Sequence, residues 1–314
     1  MSTAAESLSR RLQEALGQSV VGLELVIRAL TVAVVARGHI LLQGPPGLGK
    51  TLLSKSLATV LAGTYRRVQG TADLMPSDII GVHVFDSSKG SFEFRPGPLF
   101  AEVLLVDEVN RTGPKTQSAL LEAMEERQVT VERQTYALPE RFLVIATQNP
   151  GDFEGTYPLP ESQLDRFMLR IDMSYPARAN EAKILSQYAG ISTRPAAPQV
   201  VSLTEGELQA ARADVDAVHM AQELVEYVLS LAQASREHAQ LTLGLSTRGV
   251  LAVLRAARVA AALRGAEFVT PDDVKDMLPH AASHRLVLSP EALLEGVSTQ
   301  DVVQRLLQQV AVPR

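Results

Sequence analysis

Three groups of residues could do chemistry. The first is Gly44-Pro45-Pro46-Gly47-Leu48-Gly49-Lys50-Thr51 in "LLQGPPGLGKTLL", which fits G-x-x-x-x-G-K-[ST] at every position. Its glycines let backbone N–H groups turn inward around phosphate oxygens. The helix expected behind it points its positive end at the same anion. Lys50 is placed to reach β- and γ-phosphates, and the Thr51 hydroxyl to ligate Mg2+. Gly44, Pro45, Gly47, Leu48, Gly49, Lys50, Thr51 and Leu52 are therefore the expected residues of a nucleoside-triphosphate site.

The second group lies where apolar runs end. "EVLLVDEVNR" (102–111) closes on Asp107 and Glu108. In an open α/β sheet ligands sit at the carboxyl ends of strands. Asp107 suits the water shell of Mg2+, and Glu108 could polarise the attacking water as a general base. "RFLVIATQNP" (141–150) ends likewise in Thr147-Gln148-Asn149. Asn149 could position water or touch the γ-phosphate, but taken alone an Asn-Pro turn opening a loop is the better account of it.

The third group is two arginines without local partners. Arg166 in "GTYPLPESQLDRFMLR" stands beside Asp165 and just before an apolar stretch. Arg248 falls in the first turn of a helix predicted over 247–264, if Ser246 is its cap. A cation there is disfavoured by roughly 0.3–1 kcal/mol, which makes sense if it faces an anion across a cleft.

Positioning these residues requires a sheet. From about 39 to 175, apolar runs alternate with helical segments: 39–43, 65–69, 102–107, 141–147 and 168–173. "LLVD" and "FLVIAT" are apolar on both faces, as strands buried between helix layers must be. The expected fold is α/β, a P-loop core with a parallel five-stranded sheet between helices. Residues 4–16 and 20–36 read as helices ahead of it. "VHVFDSSKGSFEF" (82–94) and "VTVERQTYAL" (129–138) read as β-hairpins, the second turning at a polar Arg-Gln centre. After "SYPAR" the pattern becomes helical: a helix over 178–190, a Pro-rich connector at 192–199, then Ala/Leu-rich helices. In "TPDDVKDML", Thr270 is the predicted cap, with Pro271 and Asp273 completing the helix start. The chain divides near 176, into an α/β nucleotide-binding domain (1–176, with N-terminal helices over 1–36) and a helical domain (177–314).

Composition narrows the function. The 314 residues carry a net charge of −5 and no cysteine, which argues against a main task of gripping nucleic-acid backbone and excludes thiol chemistry and disulfides. The first residues lack an apolar signal core, and the longest apolar stretch, "ALTVAVVA", is too short to span a bilayer. The expected compartment is the cytoplasm. Six histidines show no H-E-x-x-H pattern; His280 and His284 share i,i+4 spacing, but a lid helix explains that better than a metal pair.

"GHILLQGPPGLGKT", "GTADLMPSDIIG", "FRPGPLF", "LLVDEVNR", "KTQSALLEAMEERQVTV", "ATQNP" and "EGTYPLPESQLDRF", in this order, resemble the AAA+ ATPases and, within them, the MoxR family. "GLSTRG", "VTPDDV" and "LPHAASHRL" are similar to the family's helical lid. The resemblance implies an oligomeric, usually hexameric, Mg2+-dependent ATPase with nucleotide between neighbouring subunits. Lys50 and Thr51 then match Walker A, Asp107 and Glu108 Walker B, Asn149 sensor 1, Arg248 sensor 2, and Arg166 the arginine finger, with Asp165 orienting it. Two departures stand out: Gly22 is followed by Leu23 where the family commonly has Gln, which leaves adenine contacts open, and Thr247 replaces the Pro common before the sensor 2 arginine. The resemblance further implies chaperone-like remodelling, assembly or metal/cofactor maturation of client proteins, with a von Willebrand factor A domain protein as adaptor and Phe85, Phe92 and Phe94 of the first hairpin as a contact surface. A nucleic-acid-associated AAA+ motor and a magnesium-chelatase-like subunit are the alternatives.

Overall fold

The computed structural model describes residues 2–149, 151, 155–188 and 202–313. In chain order the elements are α1 (Ala4–Ser19), α2 (Glu24–Val35), β1 (Ile40–Gln43), α3 (Lys50–Val60), β2 (Tyr65–Gln69), α4 (Pro76–Ile80), β3 (Gly81–Asp86), β4 (Ser91–Pro96), β5 (Val103–Asp107), α5 (Pro114–Glu126), β6 (Gln128–Val131), β7 (Gln134–Ala137), β8 (Leu143–Gln148), α6 (Glu161–Leu164) and β9 (Leu169–Asp172). There follow α7 (Arg178–Tyr188), α8 (Glu205–Ala217), α9 (Gln222–Arg236), β10 (Leu241–Leu243), α10 (Thr247–Leu263), α11 (Pro271–Ala282), β11 (Val287–Leu288), α12 (Pro290–Leu294) and α13 (Thr299–Gln309).

Five strands form one parallel sheet in the order β2-β5-β8-β1-β9. Alternate residues of each central strand enter different cores. Ile40, Leu42, Val103, Leu105, Leu143 and Ile145 pack under α1–α3 and the second half of the chain. Leu41, Leu104, Val106, Val144 and Ala146 pack with α5, Leu99, Phe142 and Phe167. Each fully buried aliphatic side chain here contributes about 1.5–3 kcal/mol, so both faces of the strands had to be apolar. The first core also takes Leu8, Leu12 and Leu16 of α1 together with Leu208, Ala211 and Val215 of α8. The N-terminal helix thus joins both halves of the chain.

Both hairpins form. In the second, the turn lies at Glu132-Arg133, with Glu132 left-handed at φ 55°, and Gln134 already belongs to β7. The expected Arg-Gln centre is therefore one residue late, because the pairing Val131–Gln134 sets the register. Phe94 stacks on Tyr136 at 4.2 Å and joins the two hairpins, while Phe85 and Phe92 meet edge to face at 5.3 Å and are 54% and 70% exposed. The three phenylalanines are not one surface.

In the second half Ser246 caps α10 through Gly249 N–H at 3.0 Å, and Thr270 and Asp273 cap α11 reciprocally. Among the described residues, the regular structure of this half is helical except for the short antiparallel pair β10–β11 and an isolated bridge between His219 and Phe268. His284 lies in a 3-10 turn after α11 rather than on the helix with His280, and its Nε2 bonds the Phe167 carbonyl at 2.9 Å. Burial pushes both imidazoles below their ordinary pKa, as expected of neutral packed histidines. The connector at 192–199 and the end of the helix expected over 178–190 lie outside the described residues.

Candidate active site

β1, β5 and β8 lie side by side, so their carboxyl ends open on one cavity of about 390 Å³. The 44–51 loop follows β1, Asp107 and Glu108 stand at the end of β5, and Asn149 follows β8; all of these except Pro45 of the loop line this cavity. Gly47 and Gly49 are left-handed, with φ 83° and 76°, a conformation nearly free for glycine alone. Gly49 is also the N-terminal residue flanking α3 and offers no capping side chain. The first N–H groups of α3 are left to an incoming anion. Lys50 Nζ donates to the Gly44 carbonyl at 2.6 Å, folded back along the loop. Burial pushes its pKa down while Asp107 and Glu108 push it up.

The acids are held by their neighbours. Arg67 Nε donates to Asp107 Oδ2 at 2.6 Å, and Thr147 Oγ1 donates to Asp107 Oδ1 at 3.2 Å. Gln69 Nε2 donates to Glu108 Oε2 at 3.0 Å, and Glu108 N–H donates to Thr147 Oγ1 at 2.9 Å. Glu108 itself is left-handed, φ 55° and ψ 53°. A non-glycine residue there costs about 1–2 kcal/mol, a local strain of the kind that collects at functional sites. Gly70 makes the tight approach possible. Its N–H donates to the Asp107 carbonyl at 2.7 Å, and a Cβ on it would lie 2.2 Å from the Glu108 carbonyl oxygen.

Arg67, Gln69 and Gly70 escaped the motif search, since β2 reads as an ordinary mixed strand. Their signal is register: Gln69 pairs with Asp107 across β2–β5, and Arg67 shares its face at i−2.

Arg166 and Arg248 do not line this cavity. They lie together in another, where Glu125 bridges them: Arg166 Nη1 is 2.5 Å from Oε2 and Arg248 Nη2 3.0 Å from Oε1. Arg248, expected to face an anion across a cleft, faces Glu125 in this second cavity, where α10 presents it beside Arg166. Nor does Asp165 orient Arg166. Its carboxylate pairs with the buried guanidinium of Arg285 at 2.5 Å, and Arg285 also donates to the carbonyls of Asp165, Phe167 and Met168 at 3.1, 2.8 and 3.2 Å. Adjacent side chains in sequence point apart, and the second half of the chain claims the acid.

The profile of the ATPase family associated with various cellular activities (AAA) matches residues 39–169, and that of the AAA lid domain residues 233–306. A crystal structure from Cytophaga hutchinsonii superposes with a TM-score of 0.89 at 36% identity, over 99% of this chain and 97% of that one. The protein YeaC of Bacillus subtilis is 41% identical over 286 residues, 90% of this chain and 87% of that one. The chaperone MoxR1 of Mycobacterium tuberculosis is 41% identical over 305 residues, 94% of this chain and 80% of that one. The chain belongs to the MoxR family of AAA+ ATPases.

As a MoxR-family ATPase it needs a seat for the base as well as for phosphates. Beside the phosphate loop lies a mainly apolar cavity of about 130 Å³, lined by Val20, Val21, Leu23, Leu48, Leu52, Pro176 and Ile184. Leu23 stands there, so the departure from the family's Gln leaves this wall apolar. Thr51 hydroxyl and Asp107 carboxylate share the phosphate cavity and form the hard oxygen set that Mg2+ prefers. The residues fit ATP with Mg2+. When bound, the metal would neutralise phosphate charge, with Lys50 and the α3 N–H groups binding the anion and Glu108 accepting a proton from water.

Proposed function

We propose that the protein hydrolyses ATP at sites shared between copies of itself, in a ring of six, with Mg2+ held through Thr51 and Asp107. The observation that carries this reading is the separation of the two halves of the expected catalytic set. The phosphate loop, Asp107, Glu108 and Asn149 share one cavity, while Arg166 and Arg248 lie in another. A second copy can bring the two together, and an arginine supplied in trans raises phosphoryl-transfer rates by about 10³–10⁵. The chain then works as an α/β nucleotide-binding part up to about residue 176 and a lid beyond it.

The cycle is coupled to chaperone-like remodelling or maturation of client proteins in the cytoplasm. MoxR1 is named a chaperone, and among the described residues no helix is long and apolar enough to cross a membrane. A von Willebrand factor A domain protein is the proposed adaptor. The exposed pair Phe85 and Phe92 is the part of the first hairpin open to contact, whereas Phe94 is occupied by Tyr136.

The test is steady-state ATPase against protein concentration for wild type, Arg166→Ala, Glu108→Gln and their mixture. Each variant alone is expected to be nearly inactive and the mixture active, since some interfaces then pair an intact Arg166 with an intact Glu108. Specific activity should rise with concentration. Full activity of Arg166→Ala alone, at any concentration, would overturn the shared site.

A further inference from the structure

The cavity holding Arg166 and Arg248 has a volume of about 350 Å³ and lies between the end of α5, residues 165–168 and α10. Six arginines line it, against the carboxylates Glu125 and Asp165. Most are already engaged. Arg285 takes Asp165, and Arg37 is paired with Glu140 at 2.6 Å. Arg127 donates to the Phe142 carbonyl at 3.2 Å and to the Arg37 carbonyl. Glu125 is left facing Arg166 and Arg248. On α10, Arg248, Leu251, Ala252 and Arg255 follow at i, i+3, i+4 and i+7, so one helix face turns toward the cavity. Arg255 makes no ion pair among the described residues, and Arg166 Nε is buried with no hydrogen-bond partner. Two guanidiniums therefore share one carboxylate, and Arg255 lines the same cavity beside them.

We propose that this cavity is an anion seat for the terminal phosphate of a nucleotide bound by a second copy of the chain, and that Glu125 is the placeholder which that phosphate displaces. The inference rests on the shared-site reading above and assigns it two further residues, Glu125 and Arg255. A terminal phosphate offers three acceptor oxygens to the rigid donor forks of arginine; Glu125 offers two. The exchange makes and breaks no covalent bond. It leaves the cations in place, because both are anchored behind the seat. The Arg166 segment is held by Arg285. The start of α10 is held by Ser246, whose hydroxyl caps Gly249 and donates to Asp165 Oδ2 at 3.4 Å.

Glu125→Gln keeps the size and polarity of the side chain and removes the competing charge. It lies on the exposed end of α5, so folding should survive, which an unchanged thermal midpoint would show. The experiment follows oligomer mass by light scattering against protein concentration, in Glu108→Gln protein so that ATP is retained. With ATP and Mg2+, adding Glu125→Gln should lower the concentration of half-assembly by roughly 3- to 10-fold, the worth of relieving two exposed ion pairs. Adding Arg255→Ala should raise it. With ADP, which lacks the terminal phosphate, Glu125→Gln should make no difference.

Half-assembly unchanged or raised by Glu125→Gln with ATP would overturn the placeholder role. The same gain with ADP would overturn it too, since Glu125 would then act on the protein contact. If Arg166→Ala in the same background also assembles like its parent and is active when Glu108 is intact, the shared-site reading fails and takes this one with it. If Arg166→Ala is impaired while Glu125→Gln is silent, only the role of Glu125 falls.

Discussion

Alanine at position 70 would put a methyl group where the chain has no room. The added carbon would lie 2.2 Å from the Glu108 carbonyl oxygen and 2.9 Å from that of Asp107. An ordinary contact begins near 3.4 Å, so about 1.2 Å must be found. Both obstacles are backbone atoms, and no side chain can swing away. The Gly70 N–H is bonded to the Asp107 carbonyl at 2.7 Å, so withdrawing the end of β2 would stretch that bond. The ends of β2 and β5 must part. Overpacking of this kind costs typically 1–3 kcal/mol, and the displacement falls on Asp107 and Glu108. A misplacement of about 1 Å in a catalytic group can lower the rate about 10²-fold. The phosphate loop follows β1, two strands away from β5, and is untouched. Gly70→Ala should therefore bind a fluorescent ATP analogue within a few-fold of wild type while turnover at saturating ATP and protein falls about 100-fold. Turnover within two-fold of wild type, with an unchanged thermal midpoint, would refute the argument.

Three other outcomes follow from the same geometry. Arg285→Met should cost about 3–5 kcal/mol in urea unfolding, because it removes the donor to the Asp165 carboxylate and to four carbonyls, those of Asp165, Phe167, Met168 and Ala281; Asp165→Asn should cost less, since it keeps an acceptor. His39 is buried, accepts from Val144 N–H at 3.0 Å and faces the Met124 carbonyl at 3.1 Å; burial, helped by Arg127, pushes its pKa down from 6.5 to about 3. Below pH 6.5 the unfolded chain takes up the proton that the folded chain refuses, so stability should fall by about 1.4 kcal/mol per pH unit until about pH 3; an imidazole that titrates near 6.5 by NMR would contradict this. Phe94→Ala should lower the thermal midpoint and loosen both hairpins in hydrogen exchange through loss of its Tyr136 stack, whereas Phe85→Ala, more than half exposed, should leave stability unchanged.

What could be read from the chain was local. The loop at 44–51, the acid pair after "LLVD" and the cap at Thr270 each announce themselves within a few residues, because turn conformation, strand burial and capping are short-range demands. The parallel sheet was legible for the same reason: strands buried on both faces carry no polar alternation. What escaped depends on register and tertiary contact. Gln69 meets Glu108 only because β2 pairs with β5. Glu125 is one of several acids on α5, and only the fold brings Arg248 to it. Asp165 invited pairing with Arg166 beside it, yet its partner is Arg285, 120 positions along the chain. The strands β10 and β11 are three and two residues long, too short to show a period against their helical surroundings.

The clasp between Asp165 and Arg285 has a mechanical meaning as well. Arg166 sits beside the sheet in sequence but is bolted to the other half of the chain, through a guanidinium that reaches the residue before it and the two after it. Arg166 is therefore clamped between the halves, its backbone neighbours held by Arg285 and its own guanidinium by the Leu121 carbonyl and Glu125 of α5. Pro176 and Ile184, which wall the apolar cavity beside the phosphate loop, lie at the entrance to the second half. In the shared-site reading proposed above, the contact that one copy offers to the next is thereby tied to that copy's own second half.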